Sequence, residues 1–131
     1  MSSAERPEFF LDRSLGKLTA SRLRKSGYKL HLVADYYPGD GSDVPDEDWI
    51  AEGCSHGWAL LTKDKRIRYR AEELEALHGG HLFCLVSGNL DIDGMTRAFV
   101  HALPKIEQAV IEGPAGFWHV YRDGRIKRMW P

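Results

Sequence analysis

The stretch Phe9-Phe10-Leu11-Asp12-Arg13-Ser14-Leu15-Gly16 decides the fold class. Three consecutive large apolar residues, bounded at once by charge, form a short buried strand that ends at Asp12. Ser14 or its neighbour then caps a helix expected to run to about Ser26, with Leu15, Leu18, Ala20 and Leu23 as its apolar stripe and Gly27 as its stop.

The alternation of strand and helix continues outward from this unit. Tyr28 to Ala34 reads as a second strand, and Asp35 to Pro45, with two Gly, two Pro and three Asp, as the longest loop. Pro45 precedes a helix from about Asp46 to His56, closed near Gly57. Trp58 to Thr62 is the third strand, Glu72 to Leu77 a short helix ended by Gly79-Gly80, and His81 to Ser87 the fourth strand. Gly88 to Asp93 turns into a helix from about Gly94 to Ile111, with Phe99, Val100, Leu103, Ile106 and Val110 on its apolar side and a kink or break expected at Pro104. The tail from Phe117 to Trp130 folds back at Asp123-Gly124 as a β-hairpin. Strands alternating with helices predict one α/β domain over residues 1–131: a mainly parallel sheet wound with helices on both faces, with the hairpin at its C-terminal end. No repeat, low-complexity tract or linker argues for a second domain.

Composition excludes several classes. The chain is 131 residues long, 43% hydrophobic and 28% charged, which suits a folded domain rather than a disordered one. No apolar run approaches the ~20 residues of a membrane span. The opening MSSAERPEFF lacks the basic and apolar regions of a signal peptide, so a cytoplasmic location without membrane contact is expected. Cys54 and Cys84 stand in unrelated segments without metal-ligand spacing and read as structural thiols.

The formal net charge is −1, but the charges are segregated. Between Asp35 and Glu52 there are seven acids and no Lys or Arg. Bases gather at Arg22, Arg24 and Lys25, at Lys63, Lys65, Arg66, Arg68 and Arg70, and at Arg122, Arg125, Lys127 and Arg128. A metal-dependent phosphodiesterase needs such a division, because hard divalent ions take carboxylates while a phosphate backbone takes Lys and Arg. In a parallel sheet the residues just past the carboxyl ends of the strands converge on one crevice. Asp12 and Asp64 follow strands one and three, expected to be neighbours, and Asp46, Glu47 and Asp48 open the helix that starts near the carboxyl end of strand two. Carboxylates gathered at one point repel one another unless they bind a proton or a cation, and Mg²⁺ or Mn²⁺ meets that need while activating a water for in-line attack.

These blocks carry a resemblance. Phe9 to Gly16, Pro45-Asp46-Glu47-Asp48-Trp49-Ile50 and Leu60-Leu61-Thr62-Lys63-Asp64-Lys65-Arg66-Ile67-Arg68 are similar, in order and spacing, to the successive blocks of PIN-like toxins of the VapC group, as are Gly88-Asn89-Leu90 and the Tyr121 to Arg125 turn. The resemblance implies a metal-dependent endoribonuclease that hydrolyses RNA at a carboxylate-held Mg²⁺ or Mn²⁺ and is held inactive by a cognate antitoxin; apart from it, the C-terminal hairpin or the helix near Phe99 offers a surface on which a homodimer could form. It implies catalytic and metal-binding roles for Asp12, Asp46 and Asp64, with Glu47 or Asp48 taking the place of Asp46 if the register slips by one. Arg13, Lys63, Lys65, Arg66 and Arg68 would hold the RNA. Many PIN-like proteins carry a further acid where this chain has Arg66, so Asp91 and Asp93 stand as substitutes for the fourth ligand.

Each residue also has a plainer reading. First-turn acids are favoured by the helix dipole, an acid after a buried run can pair with Arg13 or Arg68, Asp64 can serve a turn, and basic runs can be solvated faces. His78 and His81 have no ligand-spaced neighbours and read as structural, and Trp49 and Trp58 as core. At the level of the whole chain, two other functions share the pattern: a catalytically inactive PIN-like module that binds RNA or a partner, and a receiver-type phosphoacceptor domain. The receiver needs an adjacent acid pair after strand one and a lysine after strand five, whereas Arg13 follows Asp12 and the final strand leads to Asp123-Gly124.

Overall fold

The computed structural model describes residues 6–64, 71–77, 79–87 and 89–131, so Lys65, Arg66, Arg68, Arg70 and His78 lie outside the described residues. Six strands form one sheet: β1 (Phe9–Leu11), β2 (Leu30–Leu32), β3 (Ala59–Thr62), β4 (His81–Leu85), β5 (Gly116–Val120) and β6 (Ile126–Trp130), in the order β2-β1-β3-β4-β5-β6. All neighbouring pairs are parallel except β5 and β6, which form the expected antiparallel hairpin. Phe10 of β1 stands in register between His31 of β2 and Leu60 of β3, so β1 is an interior strand beside the edge strand β2, and the chain reverses its winding direction between β1 and β3.

Strand alternation divides the apolar residues into two cores. Phe9, Leu11, Ala59, Leu61, Phe83 and Leu85 face α1 (Lys17–Lys25) and α5 (Ile92–Glu112), which contribute Ala20, Leu23, Phe99 and Ile106. Phe10, Leu60, Leu82 and Cys84 face the other way, against Val33 of α2 (Val33–Tyr36), Trp49 and Ile50 of α3 (Asp46–Ser55) and Leu77, which follows α4 (Ala71–Ala76). Helices on both faces are why these strands are apolar throughout instead of alternating with polar residues. Gly53 lets α3 lie directly on the sheet: a Cβ there would meet Leu60 Cδ2 at 2.4 Å and Phe10 Cδ2 at 2.8 Å.

Several local expectations are corrected. Ser14 caps no helix; it lies in a 3-10 turn over Arg13–Leu15, and α1 begins only after Gly16, whose φ of 83° suits glycine. That later start turns Leu18 outward, 51% exposed, and puts Thr19, Ala20 and Leu23 inside. The second strand is limited to Leu30–Leu32, because Val33 already enters α2. The expected loop after it contains the rest of α2 and a 3-10 turn over Pro38–Gly41, where Gly41 packs so closely on Val33 that a Cβ would meet its Cγ1 at 3.0 Å. Pro104 does not break α5, which runs from Ile92 to Glu112. Pro104 and Val100, whose carbonyl it cannot pair, both lie on the exposed side. No described helix is long and apolar enough to cross a membrane.

Candidate functional site

The reversal of winding between β1 and β3 opens a crevice beyond their carboxyl ends, the place where open α/β sheets bind ligands. The Asp12 N–H donates to the Leu61 carbonyl at 2.9 Å, which carries the β1–β3 pairing one residue beyond the strand and fixes the backbone that bears the acid. The Asp12 side chain is 5% exposed. A buried carboxylate is costly unless hydrogen-bonded, and here two hydroxyls serve one of its oxygens. Ser14 Oγ and Thr62 Oγ1 each donate to Asp12 Oδ2 at 2.7 Å. The Ser14 backbone N–H supports the carboxylate as well.

Thr62 does more than hold Asp12. Its Oγ1 also accepts from the Asp64 N–H at 3.0 Å, so a chain of hydrogen bonds runs from the Asp64 backbone through Thr62 to the Asp12 carboxylate. The third acid arrives from α3. Asp46 is its first residue, with Pro45 before it at φ −60°, and its Oδ1 accepts from the buried Trp49 indole N–H at 2.8 Å. Trp49, three residues on, thereby anchors Asp46 to the core.

Asp12, Asp46 and Asp64 line one cleft of about 410 Å³, together with Arg13, Ser14, Trp49 and Lys63. Burial pushes the Asp12 carboxyl above its usual range, the two hydroxyl bonds pull it back, and the nearby Asp46 charge raises it further. Among the described residues no three His, Cys, Asp or Glu side chains form a ready-made metal-binding cluster. Such a cluster is not required by Mg²⁺, which commonly binds through one or two carboxylates and completes its shell with waters and substrate phosphate. The chemistry of this donor set, hard carboxylate oxygens lining one cleft, fits that ion.

The other residues read from the sequence lie as follows. Glu47 is half-buried and Asp48 exposed, and neither joins this lining, so of the three helix-opening acids it is Asp46 that shares the cleft with Asp12 and Asp64. Asp91 is the N-cap of α5, its Oδ1 accepting from the Gly94 N–H at 2.7 Å, and Asp93 pairs with Arg22 of α1. Arg13 and Lys63 border the acids from exposed positions. Trp49 is core as expected, whereas Trp58 is half-buried and stacks between His31 and His56, with ring centroids 3.8 and 4.2 Å away.

Ser14 and Thr62 were not identified as site residues from the sequence. Their signal is spacing: a hydroxyl two residues after the first acid, and another two residues before the acid of the third strand. Residues 7–87, more than half of the chain, match the family model described as PIN like domain. No curated protein and no solved structure matches the chain.

Proposed function

Because the chain belongs to the PIN-like domain family, we propose that it is a metal-dependent endoribonuclease, the toxin of a type II toxin–antitoxin pair of the VapC group. One observation carries the reading: the buried Asp12 carboxylate, held by Ser14 and Thr62, lines a cleft shared with Asp46 and Asp64. A carboxylate kept charged there is destabilised by burial and by Asp46, and a bound divalent cation relieves both costs.

Asp12, Asp46 and Asp64, which line one cleft, would hold Mg²⁺ or Mn²⁺. The ion, when bound, polarises a phosphoryl oxygen and lowers the pKa of a coordinated water. The protein's own share is positioning. Ser14 and Thr62 orient Asp12, Trp49 orients Asp46, and Arg13 and Lys63 lie where they can meet the phosphates beside the scissile one. Inhibition by a cognate antitoxin belongs to the same reading, supported by the resemblance of the sequence blocks.

The test is cleavage of a mixed RNA pool by purified protein with Mg²⁺, Mn²⁺ or EDTA, alongside Asp12→Asn and Asp64→Asn. Metal-dependent cuts lost in both variants are expected. A second reading, a PIN-like module that binds RNA or a partner without cutting, is favoured by the absence of a three-carboxylate cluster among the described residues. Lack of cleavage under every metal condition would select it.

A further inference from the structure

Sheet register links the cleft to the C-terminal hairpin. On the face covered by α3, Asp12 beyond β1 is bonded to Thr62 of β3, Thr62 stands beside Cys84 of β4, and Cys84 beside His119 of β5. Tyr121, two residues past His119, keeps the same face by strand alternation, and its ring meets the His119 ring edge-on at 6.2 Å. We infer that Tyr121 and Arg125, stacked at the turn of this hairpin, form a platform on which an unpaired base of the RNA lies while the scissile phosphate sits in the acidic cleft. The choice of RNA as ligand rests on the ribonuclease reading.

The fold builds the platform in advance. The guanidinium carbon of Arg125 lies 4.8 Å from the centre of the Tyr121 ring, so the cation sits over the face of the phenol. Asp123 holds it there, accepting from Arg125 Nε at 2.8 Å and from the Arg125 N–H at 3.1 Å. The turn is closed by the Tyr121 N–H on the Arg125 carbonyl and the Gly124 N–H on the Tyr121 carbonyl, each at 2.9 Å. Two further contacts pin it to the core: the Arg122 N–H donates to Ser87 Oγ at 3.0 Å, and buried Gly124 lies so close to α5 that a Cβ would meet His101 Cβ at 2.7 Å. The Arg125 side chain is nevertheless 67% exposed, open on the side away from Tyr121. An arginine fixed in this way loses little more freedom on binding, and guanidinium planes and aromatic rings are both surfaces on which unpaired bases stack.

The reach suits a short single strand. β5 is two strands from β3 and three from β1, so at ~4.8 Å per strand the hairpin lies about 10–14 Å across the sheet from the acids, the span of about three or four stacked nucleotides at ~3.4 Å each. Charge alone does not make this site. Asp123 offsets part of the Arg125 charge, and α4, packed on the same face, exposes Glu72 and Glu75, while Lys127, exposed and in register with His119, adds a cation. A bare polyanion therefore gains little from the mixed charge, whereas a base gains a stacking surface at any salt concentration. The platform reads unpaired bases instead of clamping phosphates. Closing the turn requires only Asp123-Gly124, which leaves the arginine over the aromatic ring without a role in it.

The experiment is fluorescence anisotropy with the full chain carrying Asp12→Asn, which silences cutting. Two labelled probes are compared: a single-stranded RNA of mixed sequence and an abasic strand of the same length and charge. Arg125→Lys keeps the charge and removes the plane, Tyr121→Leu removes the ring, and Tyr121→Phe keeps it. Circular dichroism checks each fold, and Arg125→Lys, at an exposed position, carries the test should Tyr121→Leu not fold. Arg125→Lys and Tyr121→Leu are expected to bind the base-bearing strand about tenfold more weakly and the abasic strand as tightly as the parent does. The slope of log Kd against log salt should stay the same, because no phosphate contact is lost, and Tyr121→Phe should bind like the parent. Equal affinity of all variants for the base-bearing strand, equal losses on both strands, or no RNA binding by the parent overturns the platform. The same variants in the wild-type background separate the two claims. Metal-dependent cleavage without any base-specific loss of binding would leave the nuclease standing and remove the platform, whereas base-specific loss without any cleavage would do the reverse.

Discussion

Thr62 donates its hydroxyl to Asp12 Oδ2 at 2.7 Å across 50 residues of chain, and the same oxygen accepts the Asp64 N–H at 3.0 Å. Thr62→Val keeps the shape of the side chain and removes both bonds. It is expected to destabilise the fold by about 1–3 kcal/mol, because a buried carboxylate and a backbone N–H each lose a partner. RNA cleavage should fall by about 10- to 100-fold, the usual effect of losing a group that orients a ligand, and Thr62→Ser should restore most of it. Urea unfolding and single-turnover cleavage measure the two effects; a valine variant as active as wild type would rule out a positioning role.

Asp12→Asn should separate activity from stability. Loss of cleavage should exceed the ~100-fold upper range for a supporting residue. The metal-free protein, however, should become more stable at neutral pH, since the buried charge and its repulsion with Asp46 are gone while an amide oxygen can still accept from Ser14 and Thr62. A gain of about 1 kcal/mol would raise Tm by about 4 °C in a chain of this size. A large drop in Tm would mean that Asp12 is held by an interaction specific to the charged form.

The pH dependence has a definite sign. Burial raises the Asp12 carboxyl above 3.8 in the folded chain, so the native state binds that proton more tightly than the unfolded state. Stability from this group is complete below 3.8 and is lost as pH rises through the raised native value. In metal-free buffer the Tm of wild type minus that of Asp12→Asn should therefore become more negative across this window and then level off. Saturating Mn²⁺ should cancel the loss by binding the charged form. A difference that moves in the opposite direction with pH would contradict the inferred environment of Asp12.

Gly53→Ala tests how α3 delivers Asp46. In an exposed helix this change gains up to about 1 kcal/mol. Here the new Cβ would lie 2.4 Å from Leu60 and 2.8 Å from Phe10, both wholly buried, so α3 or the sheet must shift. A net loss of about 1–3 kcal/mol is expected, with cleavage reduced further by displacement of Asp46. Chemical denaturation with an unchanged or higher midpoint would show that the interface has slack that these distances do not suggest.

Much of the fold was legible because it is written in local patterns. Phe9-Phe10-Leu11, Ala59 to Thr62 and His81 to Leu85 announce buried strands by composition, and Asp123-Gly124 announces its turn. The errors fall where a local pattern admits more than one solution. Ser14 has the chemistry of a helix cap, but its hydroxyl is used by Asp12, and only the backbone at Gly16 reveals that α1 starts later. The Asp35 to Pro45 region looked like a loop because its turn residues also build the short helical turns found there.

By itself, the sequence determined the parallel α/β architecture, the strand ends that bear Asp12 and Asp64, and the segregation of acid from base. All of these depend on the order of residues along the chain and on burial that any compact arrangement of those strands demands. Only the tertiary structure decided that Asp46 and not Asp48 shares their cleft, that Ser14 and Thr62 secure Asp12, and that the basic helix α1 and the acidic helix α3 pack on opposite faces of the sheet. Those depend on the rotational phase of α1 and α3 against the sheet and on a hydroxyl and a carboxylate brought together from distant parts of the chain, neither of which is encoded in a local stretch of residues.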